Sequence, residues 1–419
     1  MTGIDESNKR REMLVRCIVC ADKTVEQFLD LGFTALANKF LTKEELSFPE
    51  PTFPLRMGFC HTCGHVQLME AVPPSAMFED YLYLSSASDT LKNHLYDLSD
   101  LLVSRYHLGV EALVIDIGCN DGTLLSGFQR HGVKTLGVDP AANLAALTRE
   151  KGIERYVGFF NSETARYIVK KWGRASVITA TNTFPHIPEL SDFVAGIKIA
   201  LAPGGVFVIE AHYLVDLLTQ GAFDTIYHEH VSYWALKPMM TLFEKNGMCI
   251  VNAERLPLHH GQLRVAVQRQ GEGQVQPSVT EILEMEQAQG IGRFETYQRF
   301  ALQTQQIKQD LHGTLRKLRI QGKHVVGYGA PAKGNTLLSF LEIGPEIISY
   351  IVDRSPLKQG RYTPGTHIPV VPPERLLADQ PDYVVLLAWN FADEVLAQQM
   401  EYRNRGGKFI IPVPKVQII

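Results

Sequence analysis

The sequence predicts an α/β fold in which a small cysteine-rich module precedes two Rossmann-like parallel sheets. Two Cys-x-x-Cys pairs lie in the first 75 residues, and two later hydrophobic runs, Val114–Ile117 and His324–Tyr328, each lead into a glycine-rich turn and a helical pattern. Strand and helix patterns alternate after each turn, which is typical of parallel βαβ units. Because a chain of 419 residues is too long for one ordinary core, we expect two or three domains.

The first module, predicted over residues 1–75, carries two cysteine pairs. Cys17 is paired with Cys20, and Cys60 with Cys63. Two residues between thiolates let both sulfurs reach one ion from a tight turn, and four thiolates form a tetrahedral site with no open position. A redox dithiol would need a strand-to-helix context that is lacking here. We therefore predict a structural zinc site.

The central unit, predicted over residues 76–275, opens with the first glycine-rich turn. A Rossmann-like sheet presents backbone amides and a carboxylate at such a turn to a nucleoside. A dinucleotide needs three glycines for its pyrophosphate, whereas this turn has fewer and adds carboxylates that repel phosphate. The turn thus favours a cationic nucleoside; a flavodoxin-like turn with incidental acids is the alternative. The candidate cofactor-binding residues are Asp116, Gly118, Asn120, Asp121, Gly122, Asp139 and Asn182.

These motifs resemble those of the S-adenosylmethionine-dependent methyltransferases. Ile115–Gly122 is close to the strand-one motif of that family, and Leu201–Glu210 is similar to its later Leu-x-Pro-Gly-Gly segment. The resemblance implies S-adenosylmethionine as cofactor. We expect Asp139 to accept both ribose hydroxyls and the turn backbone to hold the amino-acid tail.

The last unit, predicted over residues 276–419, begins with a helical segment between domains and continues with the second glycine-rich turn. This turn carries Lys333 and no acidic residue, and Asp353 ends the following strand as Asp139 does in the central unit. Amides and one lysine at a helix N-terminus suit a diphosphate. We predict an anion-binding turn here; a second Rossmann-like domain without a ligand is the alternative.

Tyr227–Trp234 concentrates two histidines, a carboxylate and two tyrosines, more polar groups than a structural strand tolerates. A histidine with a neighbouring carboxylate is suited to general base catalysis near neutral pH. His186 follows the strand predicted at Ser176–Ala180, and ligands bind at the carboxyl ends of such strands. In an extended strand, neighbouring side chains would face opposite ways, so we expect the histidine segment to bend.

Composition excludes two classes of function. A net charge of −4 with both signs interspersed offers no basic surface for nucleic acid. No apolar stretch approaches the length needed to span a bilayer, and we expect a cytoplasmic protein.

Taken together, the cysteine module, the Tyr-x-Glu-His segment and the turn Gly327–Thr336 are similar to the nucleotide-sugar C-3 methyltransferases of deoxysugar biosynthesis. That family implies a thymidine-diphosphate (TDP) 4-keto-6-deoxyhexose, methylated at the carbon beside the ketone. Later segments, Asp353–Gly360 and Leu387–Phe391, also look like this family. The candidate substrate-binding residues are Arg264, His259, Tyr328, Lys333, Asn335, Asp353 and Lys358.

The resemblance also implies a mechanism. His230, oriented by Glu229, would remove the C-3 proton, while Tyr227 and His186 would stabilise the enolate oxygen or relay the proton. His228 could exchange roles with His230. Two further candidates, Tyr81 and Tyr83, resemble an active-site lid. His259 and Arg264 lie in a turn that departs from the family pattern, and the sequence leaves the oligomeric state open.

The sequence leaves two alternatives to carbon methylation open. The chain could methylate oxygen or nitrogen on a related sugar, which requires no enolate-forming base. It could also be a non-catalytic nucleotide-sugar-binding protein, although the cluster of histidines and carboxylates argues against that.

Overall fold

The computed structural model describes residues 12–13, 16–78, 84–257 and 261–419. Its strands are β1 Glu12–Met13, β2 Val25–Thr34, β3 Phe53–Cys60, β4 Val66–Leu68, β5 Glu70–Ala71, β6 Leu113–Ile117, β7 Lys134–Asp139, β8 Glu154–Val157, β9 Ala175–Thr181, β10 Leu201–His212, β11 Ser232–Tyr233, β12 Met248–Leu256, β13 Gln262–Arg269, β14 Val325–Tyr328, β15 Ile351–Val352, β16 Val370–Val371, β17 Tyr383–Leu386, β18 Lys408–Ile411 and β19 Gln417–Ile418.

The α-helices are α1 Ser75–Phe78, α2 Asp89–Arg105, α3 Thr123–Gln129, α4 Ala145–Glu150, α5 Ser162–Trp172, α6 Leu190–Ala200, α7 Leu214–Thr219, α8 Leu236–Lys245, α9 Pro277–Ala288, α10 Phe294–Ile320, α11 Ala332–Leu341, α12 Glu374–Asp379, α13 Ala392–Gln398 and α14 Met400–Asn404. Helix α2 shows why such segments form. The Ser88 side chain caps its first turn, and the leucines at helical spacing are all buried: Leu91, Leu95, Leu98 and Leu102.

The central sheet has seven strands in the order β12-β13-β10-β9-β6-β7-β8. Strands β10, β9, β6, β7 and β8 are parallel, while β13 runs antiparallel to both its neighbours. Every residue of β6 is buried, as expected for a strand covered by helices on both faces. The C-terminal sheet has the order β16-β15-β14-β17-β18-β19 and is parallel except for β19. The predicted α/β class with two Rossmann-like sheets is confirmed.

The N-terminal module forms a sheet of order β11-β4-β3-β2, in which β11 comes from the central part of the chain. Helix α10 also joins the parts: the ring of Tyr297 lies 4.7 Å from that of Phe59 in β3. One continuous buried cluster includes residues of all three parts, for example Leu55, Ile209 and Val326. The domain limits at residues 75 and 275 remain predictions.

Within the described residues, no helix combines the length and the apolar character that crossing a membrane would require.

Candidate active site

The four cysteines of the N-terminal module form one cluster, with all four sulfurs within 4.8 Å of one another. The Sγ atoms of Cys17 and Cys63 are 3.6 Å apart, and those of Cys20 and Cys60 are 3.5 Å apart. A tetrahedral zinc ion with Zn–S bonds of about 2.3 Å separates its sulfurs by about 3.8 Å, so the cluster fits the predicted ion.

Both cysteine pairs are shaped by the same backbone turn. The amide of Ala21 donates to the Cys17 carbonyl and that of Gly64 to the Cys60 carbonyl, each at 2.8 Å, and both residues have positive φ, 64° and 76°. After the second pair the chain enters β4, which pairs with β11. The amide of Leu68 also donates to the carbonyl of Val231 at 2.9 Å. The N-terminal module therefore holds the chain immediately after His230 through backbone hydrogen bonds.

The first glycine-rich turn connects β6 to α3. Gly118 has a φ of 75°, and a Cβ atom there would lie 2.0 Å from Thr183 Oγ1, so only glycine fits. Asp116 is buried in β6 and accepts a hydrogen bond from Thr179 Oγ1 at 2.7 Å; burial raises its pKa to about 7. A close-fitting turn beside carboxylates suits the cationic S-adenosylmethionine that the resemblance implies.

Asp139 is more fully occupied than the sequence suggests. Its Oδ1 accepts from the Ala141 amide at 2.8 Å and from Arg155 at 2.9 Å, and its Oδ2 accepts from the Asn120 amide at 2.8 Å. A carboxylate offers about four acceptor positions, so one remains on Oδ2. In this arrangement Asp139 has one acceptor position left for a ribose hydroxyl, and the expectation that it accepts both hydroxyls stays a prediction.

The other cofactor candidates hold the turn and its surroundings. The side chains of Asn120 and Asp121 accept from the amides of Ser85 and Ser86, at 3.0 and 3.1 Å. Gly122 has positive φ before α3. Asn182 accepts from Gln262 Nε2 at 2.8 Å and lines the cavity described below.

Three histidine rings meet beside this turn. The His230 ring lies 5.2 Å from His186, 5.0 Å from His212 and 4.1 Å from the Tyr227 ring, measured between centroids. His186 also stacks on Phe78 at 5.1 Å. Burial lowers the pKa of both His186 and His230 to about 3, so both rings are neutral near pH 7.

The segment bends as predicted, because the His230 amide donates to the Tyr227 carbonyl at 2.9 Å. The bend separates adjacent side chains and overturns one expectation. The Nδ1 of His230 bonds to the Thr225 carbonyl at 2.9 Å, whereas the Glu229 carboxylate accepts from Asn38 Nδ2 at 2.7 Å. The Thr225 carbonyl, and not Glu229, orients His230.

His228 points away from this group. Its Nε2 is 3.2 Å from the Pro54 carbonyl, its ring packs against Phe53, and it is not among the described residues that line the cavity. Of these two described histidines, therefore, His230 lines the cavity and His228 does not.

The second glycine-rich turn also ends against an aspartate. Asp353 accepts from the amides of Ala330 and Ser355, both at 2.7 Å. The Lys358 ammonium donates to the Ala330 carbonyl at 2.8 Å, and that of Lys333 lies 4.4 Å from the centroid of the Trp389 ring. Burial lowers the pKa of Lys333 to about 8 and also lowers that of Lys358.

Several predicted substrate residues lie elsewhere. Arg264 is buried and bonds to Glu210 at 2.6 Å and Glu254 at 3.1 Å. The Asn335 amide donates to the Ala37 carbonyl at 2.7 Å, and the Tyr328 hydroxyl accepts from Gln399 at 3.3 Å. Among the described residues, these three and Asp353 do not line the cavity, because each is engaged in packing or in a turn. Tyr81, Tyr83 and His259 lie outside the described residues.

His212 and Asn38 are among the cavity-lining residues that sequence reasoning missed. His212 ends β10, beside the strand that leads to His186, so the same argument about strand ends could have found it. Asn38 comes from the N-terminal module and has no local sequence signal.

One cavity of about 780 Å³ connects these groups. Its lining includes the first glycine-rich turn, the rings of His186, His212 and His230, and the lysines Lys333 and Lys358. A cofactor at the turn and an anion at the lysines would therefore share one space.

Comparison with known proteins agrees with this arrangement. Three family descriptions match in succession: a zinc binding domain at residues 17–78, a methyltransferase domain at 93–253 and a C-methyltransferase C-terminal domain at 257–414. The C-methyltransferase NovU of Streptomyces niveus is 36% identical over 404 residues, covering 96% of each chain.

More distant similarities cover the central part alone. A ubiquinone biosynthesis O-methyltransferase of Methylobacterium nodulans is 28% identical over 29% of this chain and 55% of its own. A crystal structure of an S-adenosylmethionine-dependent methyltransferase from Clostridium acetobutylicum is 13% identical, covers 44% of this chain and 94% of its own, and has a TM-score of 0.36. A structural similarity this weak carries no argument about the function of this chain.

The full-length relative and the C-terminal family match favour carbon as the methyl acceptor over oxygen or nitrogen, and favour an enzyme over a binding protein. The chain belongs to the S-adenosylmethionine-dependent C-methyltransferases that carry an N-terminal zinc-binding domain.

Proposed function

We propose that this enzyme methylates C-3 of a TDP-4-keto-6-deoxyhexose through an enolate that His230 generates. The observation that carries the proposal is the shared cavity, which places the cofactor turn, His230 and two lysines around one space. A nucleotide sugar has the matching parts, since its diphosphate suits the lysines and its ketone acidifies the neighbouring C–H bond.

The tautomer of His230 supports its role as the general base. Because Nδ1 donates to the Thr225 carbonyl, the proton resides there and Nε2 is left as the acceptor. The low pKa keeps the ring neutral near pH 7, so Nε2 is available to take the C-3 proton. S-adenosylmethionine, when bound, supplies an electrophilic methyl group.

The enolate oxygen needs hydrogen-bond donors close to His230. Tyr227 and His186 both lie against its ring and line the cavity, so either can donate to the ketone oxygen as negative charge develops. His212 borders the same space and joins these candidates.

Exchange of the C-3 hydrogen with deuterated solvent tests the base. A TDP-4-keto-6-deoxyhexose is incubated with His230→Asn and S-adenosylhomocysteine, and exchange is followed by NMR. Removal of a general base lowers the rate roughly 100- to 10,000-fold. Calorimetry should show unchanged S-adenosylhomocysteine binding.

His228→Asn is the matched control, because His228 is also buried but faces Pro54. It should exchange at the wild-type rate once folded. Normal exchange by His230→Asn would refute the assigned base. Product NMR without a new quaternary carbon at C-3 would refute the proposed reaction.

A further inference from the structure

A buried carboxylate, Asp224, interacts electrostatically with Lys333 and directly precedes Thr225, whose carbonyl accepts from His230. Asp224 belongs to the 3-10 turn Phe223–Thr225 and is fully buried. Its Oδ2 accepts from Trp389 Nε1 at 2.6 Å, while its Oδ1 has no hydrogen-bond partner among the described residues. An incompletely bonded buried carboxylate is costly, so a compensating charge is expected nearby.

Lys333 provides that charge. Its ammonium lies over the ring of Trp389, the residue to which Asp224 is hydrogen-bonded, and the two charges attract each other. The aromatic rings of Phe223 and Phe340 meet at 5.4 Å, which packs the turn against α11, the helix that carries Lys333.

The other end of the turn reaches the base. The carbonyl of Thr225, the residue after Asp224, accepts the hydrogen bond from His230 Nδ1. The turn is also held internally, since the Thr225 hydroxyl donates to the Ala222 carbonyl at 2.7 Å and the Ile226 amide to the Phe223 carbonyl at 3.0 Å. A displacement of Asp224 would therefore move the group that orients His230.

We propose that Asp224 is a positioning residue that holds Lys333 as a cation for the substrate diphosphate and fixes the turn that orients His230. This inference rests on the proposed function. Neither Asp224 nor its turn was a candidate from the sequence, and Asp224 acts through Lys333 and Thr225 without lining the cavity itself.

The electrostatics around Lys333 support this role. Burial lowers its pKa to about 8, and the Asp224 carboxylate opposes that decrease. Burial also raises the pKa of Asp224, and Lys333 and the Trp389 indole oppose that increase, so each group favours the charged form of the other. Lys358 lines the same cavity and is balanced by Asp353, while the three histidines across the cavity include two whose low pKa makes them neutral. Without Asp224, burial would act unopposed on Lys333 and favour loss of its proton.

The test uses Asp224→Asn in the zinc-loaded enzyme, since asparagine keeps an oxygen for the Trp389 indole. Affinity for TDP alone is measured by calorimetry from pH 6 to 9.5. Wild-type affinity should decrease as pH rises through about 8. In the variant the midpoint should move to lower pH. A decrease of one pKa unit lowers the protonated fraction of Lys333 at pH 8 from one half to about one eleventh, so TDP binding there should be roughly fivefold weaker.

The second readout is C-3 hydrogen exchange at saturating nucleotide sugar, which should slow in Asp224→Asn because His230 is less well oriented. Asp224→Glu should restore part of both properties. Glu374→Gln removes an exposed carboxylate of the C-terminal part and should change neither. In a Lys333→Arg background, Asp224→Asn should no longer shift the pH midpoint, because arginine stays protonated.

The outcomes separate the inference from the function on which it rests. Wild-type enzyme that does not bind TDP would refute the proposed substrate. Wild-type enzyme that binds TDP, together with a folded Asp224→Asn whose pH midpoint or exchange rate is unchanged, would overturn the role of Asp224 alone.

Discussion

The two glycine-rich turns use the same backbone arrangement. In each, an aspartate at the end of the neighbouring strand, Asp139 or Asp353, accepts one amide from the turn and another from the residue two positions after itself. Gly118 and Gly329 both have positive φ, 75° and 80°. A local sequence motif therefore specifies the shape of both turns.

The turns differ in the charges around them. At the first turn, Arg155 pairs with Asp139 and also donates to the carbonyls of Asn120 and Ala141. Asp116 is a second carboxylate beside this turn, and within the described structure Arg155 does not bond to it. The second turn has Lys358 on a turn carbonyl and Lys333 on the cavity wall. The comparison shows that one backbone arrangement can carry different flanking charges, and we propose that these charges select a cationic ligand at the first turn and an anionic ligand at the second.

Arg155→Met should have the largest effect. The side chain is almost fully buried, and its loss leaves the Asp139 carboxylate without its charge partner. Breaking a buried pair costs about 3–5 kcal/mol of unfolding free energy. Lys358→Met, the counterpart in the second turn, should cost less, about 1.5–3 kcal/mol, because it removes one hydrogen bond from a charged group whose partner Asp353 is only partly buried. Urea unfolding of both zinc-loaded variants measures the difference, and equal losses would contradict it.

Gly118→Ala should come next. Positive φ and overlap with Thr183 together cost roughly 2–4 kcal/mol, so S-adenosylhomocysteine binding should weaken by about 30-fold or more. TDP binding should be retained. Gly329→Ala, whose Cβ would lie 2.7 Å from that of Ala388, should show the reverse pattern. Calorimetry with both ligands checks this, and loss of both ligands in either variant would show that the turns are not independent.

Lys333→Met should weaken TDP binding by roughly 10- to 100-fold, the usual effect of losing a hydrogen bond to a charged group. S-adenosylhomocysteine binding should not change, because the first turn has its own charges. Lys317→Met, at an exposed position on α10, is the control. TDP affinity equal to wild type in Lys333→Met would remove this lysine from the anion site.

The smallest expected effects are two opposite pH dependences, one of S-adenosylmethionine binding and one of TDP binding. Burial raises the pKa of Asp116 to about 7, so its carboxylate is neutralised as pH falls, and S-adenosylmethionine binding should weaken below that value. TDP binding should weaken as pH rises above about 8, where Lys333 loses its proton. Each change is at most about tenfold per pH unit. Titrations at several pH values measure both, and Asp116→Asn should abolish only the first.

Much of the site could be predicted from the sequence. The Cys-x-x-Cys spacing of the two cysteine pairs predicted the sulfur cluster. The bend at Tyr227–His230 also followed, since alternation along a strand could not bring its polar groups together. Each of these inferences started from a pattern within a few residues, although the two cysteine pairs that form the cluster lie 40 or more positions apart.

Partners separated by long stretches of chain escaped prediction. Glu229 bonds to Asn38, 191 positions away, and β11 pairs with β4 of the zinc module. The pairing of Arg264 with Glu210 follows from strand register between β13 and β10, which removes a predicted substrate residue from the cavity. No local pattern encodes such contacts.

The amino-acid sequence by itself determined the metal ligands, the two glycine-rich turns and the opposite charges beside them, because spacing, periodicity and composition act locally. Only the tertiary structure decided that the Thr225 carbonyl orients His230, that Asp139 is already paired with Arg155, and that both turns open into one cavity. The physical reason is that these relations depend on how β10, β11 and α11 pack, and packing is a property of the whole chain.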